Sequence, residues 1–293
     1  MSIYGSIACI HRIVLGLVGV NKEMDIFDTL KYVEIETNSS CTRKCDWCLF
    51  GVYPNNRPSK IVFLSDAAIY SVLEDLARSS FRGVIGFFSI NEPLLDPRIT
   101  SGELFQACKE IFKDKVLVEI TTNGDLLTKD IVQTMFRQGL NGMKISCYDK
   151  ERYSEMKDLY GHMDDIYILD QTRYKLGNFE SNRGGSIGEG NFLATHFSSC
   201  FYPYYRTAIG WDGEVRICYN DILQTVHIGN IYQEKISLIL RSKQFSKFRE
   251  MLVNHRQIIE PCCKCNVKGD CNKLNLSNAK ILDKLSKIKD SAL

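Results

Sequence analysis

The chain has no hydrophobic segment long enough to cross a membrane. Its apolar run near the N-terminus, Ile13 to Val20, is far shorter than the roughly 20 residues that a spanning helix needs. No small-residue cleavage site follows this run, so a secretory signal peptide is not expected. We therefore predict a cytoplasmic protein without a membrane partner.

An excess of charge of one sign is also missing. The 37 Lys and Arg and 35 Asp and Glu leave a formal net charge of +2. No basic stripe interleaved with aromatic residues is present, as nucleic-acid binding would require, and repeats and low-complexity stretches are absent. Nucleic acid is not expected as a partner. A small molecule or a peptide is the expected substrate class.

Cysteine, in contrast, is abundant. A count of 12 in a chain without an expected secretory signal favours metal binding or catalysis over a disulfide framework. The isolated cysteines are interpreted as small buried apolar residues. The cysteines form an early cluster (Cys41, Cys45 and Cys48), a late group (Cys200, Cys218, Cys262, Cys263, Cys265 and Cys271) and three isolated residues (Cys9, Cys108 and Cys147).

Strand and helix patterns alternate from residue 31 to about 170, which is typical of parallel βαβ units. Because chemistry collects at the C-terminal ends of parallel strands, we expect the early cysteines and the polar residues after the next strands to share one face. The predicted strands are 31–37, 83–90, 116–121, 143–148 and 166–169, and the predicted helices are 66–77 with Ser65 as N-cap, 102–112, 129–138 and 152–160.

The pattern changes after about residue 190. Residues 207–217 are predicted to form a hairpin that turns at Asp212 and Gly213, a dipeptide suited to a type I′ turn. A helix over 236–252 should then lead into the cysteine-rich run PCCKCNVKGDC. Cysteines on the hairpin and on this later loop can converge on one metal site.

The segment CTRKCDWC places Cys41, Cys45 and Cys48 in a C-x-x-x-C-x-x-C pattern. Three thiolates leave one iron of a [4Fe–4S] cluster without a protein ligand, so that a small molecule can chelate it. Zinc is the alternative metal, but three ligands on one loop do not complete its structural tetrahedron.

This motif, placed after the first strand, resembles that of the radical S-adenosyl-L-methionine (SAM) superfamily, whose catalytic domain is a partial (β/α)6 TIM-like barrel. The resemblance implies that Trp47 packs near the adenine of SAM. It also implies that Ile90-Asn91-Glu92 replaces a Gly-Gly-Glu segment, with Glu92 binding the SAM amino group.

Polar residues at two further strand ends, Asn123 and Ser146, would by the same resemblance contact the ribose or methionyl part of SAM. Alternatives remain open for each of these side chains. Glu92 is otherwise a solvated loop carboxylate, and Asn123 and Ser146 are otherwise loop-capping residues.

The late cysteines resemble the SPASM motif of the same superfamily. Cys200 is followed by 12 residues, Gly213, four residues and Cys218, and then by Cys262-x-x-Cys265-x5-Cys271. No cysteine follows, so the pattern resembles the shortened twitch version with one auxiliary cluster. The resemblance implies two [4Fe–4S] clusters in all, the second on Cys200, Cys218, Cys262 and Cys265. Cys263 adjoins the last pair and can compete for iron, so the choice of ligands among the late cysteines stays open. The expected domains are an N-terminal extension (1–30), a radical SAM core (31–185), a SPASM/twitch domain (186–275) and a C-terminal helical tail (276–293).

Residues 32 to about 267 resemble superfamily members that dehydrogenate aminocyclitols. The shared segments include TNGDLLT and SNRGG, which places Arg183 at the substrate, holding or helping to deprotonate a hydroxyl group. Two departures stand out: Asn220 replaces a substrate-binding glutamate, and Thr121 replaces a tyrosine. The resemblance implies oxidation of a hydroxyl-bearing carbon of a sugar or aminocyclitol to a ketone in antibiotic biosynthesis. It also implies a flavodoxin- or ferredoxin-like electron donor.

Other functions remain open. Cys271 can be a structural residue or a cluster ligand; if it instead returns a hydrogen atom to the substrate radical, the enzyme is an epimerase. Modification of a ribosomal peptide is a third possibility, and a protein holding structural zinc at both cysteine sites is the non-enzymatic one. Iron would give brown, oxygen-sensitive protein, whereas zinc would leave it colourless.

Overall fold

The structure is a computed structural model that describes residues 25–176, 181–187, 199–267 and 269. The predictions for Cys271 and for the tail at 276–293 fall outside these residues. None of the helices in the described ranges combines the length and the apolar character that a membrane span needs.

One seven-stranded sheet organises the described residues, in the order β5-β4-β3-β2-β1-β6-β7. All neighbours from β5 to β6 are parallel, and β7 is antiparallel to β6. The predicted partial (β/α)6 barrel is confirmed. The strands are β1 (Tyr32–Ile35), β2 (Val84–Gly86), β3 (Leu117–Thr122), β4 (Gly142–Cys147), β5 (Ile166–Asp170), β6 (Arg206–Ile209) and β7 (Val215–Arg216).

The helices connect these strands. The α-helices are α1 (Ile26–Thr29), α2 (Leu49–Val52), α3 (Asp66–Ala77), α4 (Pro97–Thr100), α5 (Glu103–Phe112), α6 (Lys129–Arg137), α7 (Lys150–Tyr160), α8 (Tyr202–Tyr205), α9 (Ile236–Arg241) and α10 (Lys243–Asn254). Short 3-10 helices span Pro93–Leu95, Thr172–Leu176, Arg256–Ile258 and Cys262–Lys264. Ser65 caps α3 as predicted, its side chain accepting from the Ala68 N–H at 3.3 Å.

Alternation along the strands separates two environments. Val33 and Ile35 on β1 are fully buried in the main hydrophobic core, which the surrounding helices complete. Because successive strand side chains point to opposite faces, Tyr32 and Glu34 point into the barrel instead. The barrel interior therefore combines the Glu34 carboxylate with an apolar cluster of Tyr32, Val84, Phe88 and Leu117. Phe88 also lines the cleft described below.

The C-terminal hairpin joins the barrel sheet, because β6 pairs in parallel with β1. The predicted type I′ turn is wrong. Among the described residues Gly213 has a positive φ of 81° whereas Asp212 does not, and type I′ requires positive φ at both positions. The Gly213 N–H instead donates to the Gly210 carbonyl at 2.9 Å, and the Gly210 N–H donates to the Glu214 carbonyl at 2.9 Å, so the hairpin loop is longer than two residues.

The helix predicted over 236–252 is two helices, α9 and α10. Ser242 lies between them with extended backbone dihedrals (φ −58°, ψ 146°). Its side chain accepts a hydrogen bond from the Phe245 N–H at 3.2 Å and so caps α10. The break reorients the chain before the late cysteines. The predicted strand 83–90 is also shorter, because regular pairing of β2 ends at Gly86.

Candidate active site

A cleft of about 720 Å³ opens at the C-terminal ends of the parallel strands. It brings together all the side chains that the sequence predicts for the first cluster and for SAM, together with Arg183. The lining includes Cys41, Cys45, Trp47, Cys48, Ser89, Asn91, Glu92, Thr121, Asn123, Ser146, Tyr148 and Arg183. These residues come from several strand ends, as expected for a parallel α/β fold.

The three early cysteines lie close enough to one another for their charges to interact. Burial raises the pKa of Cys41 to about 12, and the neighbouring thiols Cys48 and Cys45 add to this shift. Burial likewise raises the pKa of Cys45 to about 11. Bare thiolates are thus disfavoured here, whereas a bound metal keeps thiols deprotonated. The chemistry of this donor set suits an iron–sulfur cluster.

Among the described residues, no three His, Cys, Asp or Glu side chains converge on the position of a single metal ion. A cubane differs because its thiolates surround four irons. The loop is shaped by close packing at Gly51, where a Cβ would lie 2.2 Å from the Cys45 carbonyl oxygen. Only glycine therefore fits beneath this part of the cysteine loop.

Glu92 is buried at the cleft, which excludes the interpretation as a solvated loop carboxylate. Its carboxylate accepts from the Thr122 hydroxyl at 2.6 Å, from the Asn123 N–H at 2.9 Å and from the Leu94 N–H at 3.1 Å. Burial raises the pKa of Glu92, although these hydrogen bonds oppose the shift. Glu92 thus ties the loop after β2 to the end of β3.

The amide side chains at the cleft differ in what they already bind. Asn91 accepts from the Ser89 N–H at 3.2 Å, but its buried Nδ2 finds no partner among the described residues. Asn123 caps its own loop by accepting from the Asp125 N–H at 2.9 Å, and its Nδ2 donates to Thr42 at 2.8 Å. A buried amide donor without a partner suits an oxygen atom of a ligand.

An aromatic cluster that the sequence did not reveal surrounds Trp47. Its ring centroid lies 5.2 Å from that of Tyr148 and 5.5 Å from that of Tyr174. The Tyr148 hydroxyl hydrogen-bonds with Ser146, so the predicted Ser146 already has a partner. The sequence feature that could have identified Tyr148 is its position at a strand end, two residues beyond Ser146. Tyr174 lies in a 3-10 helix after β5, and nothing in the sequence pattern indicates that it joins this cluster.

An ion pair closes one side of the cysteine loop. Arg43 Nε donates to the Asp125 carboxylate at 2.7 Å, and the guanidinium lies 5.5 Å from the centre of the Tyr148 ring. Burial opposes ionisation of Asp125, but Arg43 holds its pKa below the usual value. The pair therefore links the cysteine loop to the loop after β3.

A second cavity of about 400 Å³ lies at the C-terminal cysteines. Its lining includes Cys200, Cys218, Cys262 and Cys265. Burial raises the pKa of Cys218 well above its usual range, and the other three thiols add to the shift. Four thiols lining one cavity fit a second iron–sulfur cluster.

Cys263 does not belong to this set. Its side chain is exposed and lies beside Glu260 and Lys264. The structure thus separates Cys263 from its neighbours Cys262 and Cys265, which the sequence alone left ambiguous.

Stacked side chains connect the cleft with the second cavity. The Arg183 guanidinium lies 5.6 Å from the centre of the Tyr219 ring, and the Arg206 guanidinium lies 4.7 Å from it. Tyr219 directly follows Cys218, and its ring centroid is 5.7 Å from that of Tyr202. Arg183 itself has a positive φ of 49°, beside the two glycines of SNRGG.

Thr121 and Asn220, the two residues that differ from the aminocyclitol dehydrogenases, lie in different cavities. Thr121 lines the cleft. Asn220 is buried and lines the second cavity, where its Oδ1 accepts from the Ser181 hydroxyl at 2.8 Å. Its Nδ2 has no partner among the described residues.

Two buried carboxylates inside the barrel are each paired with a cation. Glu34 is paired with Arg206 and accepts a 3.4 Å hydrogen bond from the Ser89 hydroxyl. Glu119 binds Lys144 at 2.7 Å and also accepts from the Tyr32 hydroxyl. Because each carboxylate has a cationic partner, burial of these charges is compensated. Ser89 connects the Glu34 carboxylate with the cleft.

Comparison with known proteins agrees with this geometry. Residues 200–266 match the SPASM iron–sulfur cluster-binding domain family. The chain is 29% identical over 240 residues to the S-adenosyl-L-methionine-dependent 2-deoxy-scyllo-inosamine dehydrogenase of Niallia circulans, covering 80% of this chain and 92% of that protein.

Two solved structures are similar to this chain over most of its length. The crystal structure of BtrN in complex with AdoMet and 2-DOIA matches with a TM-score of 0.69 and 25% identity, covering 83% of this chain and 97% of that one. Native anSMEcpe with bound AdoMet shares the fold, with a TM-score of 0.50 and 14% identity over 89% of this chain and 97% of that one. The predicted resemblance to a SAM-dependent dehydrogenase with a C-terminal iron–sulfur domain is confirmed.

Proposed function

We propose that this chain is a radical SAM oxidoreductase that oxidises a hydroxyl-bearing carbon of an aminocyclitol, a sugar or a related small molecule to a ketone. The observation that carries the proposal is the pair of cysteine sites, one at the cleft and one in the second cavity, connected through Arg183 and Tyr219. The similarity to 2-deoxy-scyllo-inosamine dehydrogenase supports this substrate class.

When bound, a [4Fe–4S] cluster with SAM supplies a 5′-deoxyadenosyl radical that removes a hydrogen atom from carbon, and an auxiliary cluster accepts an electron. Cys41, Cys45 and Cys48 would hold the first cluster. Cys200, Cys218, Cys262 and Cys265 would hold the second. A flavodoxin- or ferredoxin-like protein as electron donor remains a prediction.

The cleft residues bind SAM in two regions. The aromatic cluster of Trp47, Tyr148 and Tyr174 provides flat surfaces for the adenine. The Nδ2 of Asn91, which has no partner among the described residues, would donate to an oxygen of SAM. Glu92 is the buried carboxylate that fixes the two loops, and it would pair with the ammonium group of SAM.

Oxidation of a carbinol to a ketone removes a hydrogen atom from carbon, a proton from oxygen and one electron. Arg183 orients the hydroxyl by donating to its oxygen, because a guanidinium stays protonated and donates only. Ser89 takes the hydroxyl proton and passes its own to the Glu34 carboxylate, which it already contacts. The proton thus leaves the cleft toward the barrel interior.

The test is turnover of the anaerobically reconstituted protein with SAM, a reductant and a panel of aminocyclitols and sugars that includes 2-deoxy-scyllo-inosamine. We expect ketone and 5′-deoxyadenosine in a one-to-one ratio. Running the reaction in D₂O separates the alternatives, because an epimerase returns an inverted alcohol with solvent deuterium on carbon. Loss of that product in Cys271→Ala would then identify the hydrogen donor and refute the dehydrogenase assignment.

A further inference from the structure

A single arginine organises the main chain around the second cavity. Arg256 is 2% exposed and lies in the 3-10 helix that follows α10. Its guanidinium donates to four main-chain carbonyl oxygens: Ser199 at 3.2 Å, Cys262 at 3.1 Å, Cys265 at 2.9 Å and Val267 at 2.7 Å.

These carbonyls belong to the two segments that carry three of the four cysteines of the second cavity. Ser199 directly precedes Cys200, whereas the other three carbonyls lie on the loop that contains Cys262 and Cys265. The two segments are far apart in the sequence, so the hydrogen bonds from Arg256 fix their relative position. A planar guanidinium has five donors in a fixed fork, which an ammonium group does not reproduce.

The charge of Arg256 also faces the cysteines. Arg256 lines the second cavity itself, and its cation acts electrostatically on the sulfur atoms of Cys200 and Cys262. Reduction makes an iron–sulfur cluster more negative, so a fixed cation beside its ligands favours the reduced form. The residue therefore combines a geometric effect with an electrostatic one.

We propose that Arg256 is a positioning residue for the auxiliary cluster, which holds the two cysteine segments in register and raises the reduction potential of the cluster. This inference rests on the proposed function, which requires that the cluster accept an electron. It assigns to the protein a means of favouring electron transfer from the substrate to the second cavity.

The experiment compares Arg256→Gln with Arg256→Lys in the full chain, both in a Cys41→Ala/Cys45→Ala/Cys48→Ala background that leaves only the auxiliary cluster. Iron and sulfide per chain are measured after anaerobic reconstitution, and the cluster is titrated electrochemically and followed by electron paramagnetic resonance. Arg249→Gln is the matched control, because Arg249 is also buried and donates to a main-chain carbonyl, that of Leu240.

We expect Arg256→Gln to lower the ratio of reduced to oxidised cluster on the order of tenfold at a fixed solution potential, because a unit charge near the cluster is lost. A tenfold change in this ratio corresponds to a fall of ~59 mV in the reduction potential of a one-electron couple. Arg256→Lys should keep the potential but change the resonance spectrum and lower the iron content, since the fork is lost. Arg249→Gln should change neither quantity.

Wild-type potential and iron content in Arg256→Gln would overturn the proposal, and so would equal potential shifts in Arg256→Gln and Arg256→Lys. If circular dichroism shows that Arg256→Gln does not fold, Arg256→Lys decides alone. An unchanged spectrum with unchanged iron content refutes the positioning role. These measurements use neither SAM nor substrate, so failure of the proposed dehydrogenase activity would be detected separately.

Discussion

The carboxylate of Glu36 is expected to be one of the largest single contributors to the stability of the fold. It directly follows β1, on the segment that leads to the cysteine loop, and is fully buried. Arg57 binds one of its oxygens at 2.9 Å, and Arg216 binds the other at 2.7 Å. The side chains of these arginines are only 5% and 1% exposed.

Glu36→Gln removes the only negative charge of this triad and leaves two buried cations. Removing one member of a buried ion pair costs roughly 3–5 kcal/mol, because the remaining charge is uncompensated. Arg216 already has Nε and Nη1 without a partner among the described residues, so it has little capacity to compensate. We expect the free energy of unfolding to fall by about 3–5 kcal/mol at pH 7.

The loss of unfolding free energy in Glu36→Gln should become smaller as the pH falls. Burial alone would raise the pKa of Glu36, but Arg216 and Arg57 lower it below its ordinary value of 4.5. A carboxylate with a lowered pKa in the folded state stabilises the fold above its unfolded pKa, and the stabilisation is lost as the pH falls through the folded pKa. The difference between wild type and Glu36→Gln should therefore be constant near neutrality and shrink below about pH 4.5.

The assay is urea unfolding of the reconstituted protein under anaerobic conditions, followed by far-ultraviolet circular dichroism. Glu74→Gln is the control, because Glu74 forms an exposed i,i+4 pair with Arg78 and its loss should cost less than about 0.5 kcal/mol. Equal stabilities of Glu36→Gln and Glu74→Gln at pH 7 would refute the reasoning.

Three further predictions concern the two cysteine sites and the cleft. Gly51→Ala should remove about four irons per chain, because its Cβ would overlap the Cys45 carbonyl; iron analysis measures this. Cys263→Ser should keep the auxiliary iron whereas Cys262→Ser should lose it, since only Cys262 lines the cavity. Ser89→Ala should lower kcat about 10²-fold, with KM changed less than about threefold, in steady-state assays, because it interrupts proton transfer from the substrate hydroxyl.

Each of these variants has a control and a refuting outcome. Val52→Ala, one residue from Gly51, should keep its iron, and full iron in Gly51→Ala would contradict the steric argument. Loss of auxiliary iron in Cys263→Ser would show that the ligand set is wrong. For Ser89→Ala, a rise in KM at constant kcat would indicate that Ser89 only binds the substrate.

The convergence of the first site was predictable from the sequence because it depends only on chain direction. In a parallel sheet every strand ends at the same edge. The cysteine loop after β1, Glu92 after β2, Asn123 after β3 and Ser146 on β4 therefore meet wherever the exact strand boundaries lie. Errors of a few residues, such as the overlong strand 83–90, did not affect the site.

Contacts between distant segments could not be predicted in this way. Arg256 binds carbonyls on both sides of it in the sequence, and a main-chain acceptor leaves no mark in the residue pattern. Tyr174 joins Trp47 only because the chain folds back after β5. Serine is a preferred N-cap, which is a sequence signal for the break at Ser242. The apolar periodicity nevertheless continues across this residue and predicts one helix.

The arrangement around Arg206 bears on the choice between oxidation and epimerisation. One face of the stack formed by Arg183, Tyr219 and Arg206 leads toward Cys218 and the second cavity. Arg206 also pairs with Glu34, which leads from Ser89 into the barrel. A carbinol radical in the cleft thus has separate routes for its electron and its proton. Epimerisation requires neither route, since a donated hydrogen atom alone completes that reaction. The paired routes therefore favour the dehydrogenase.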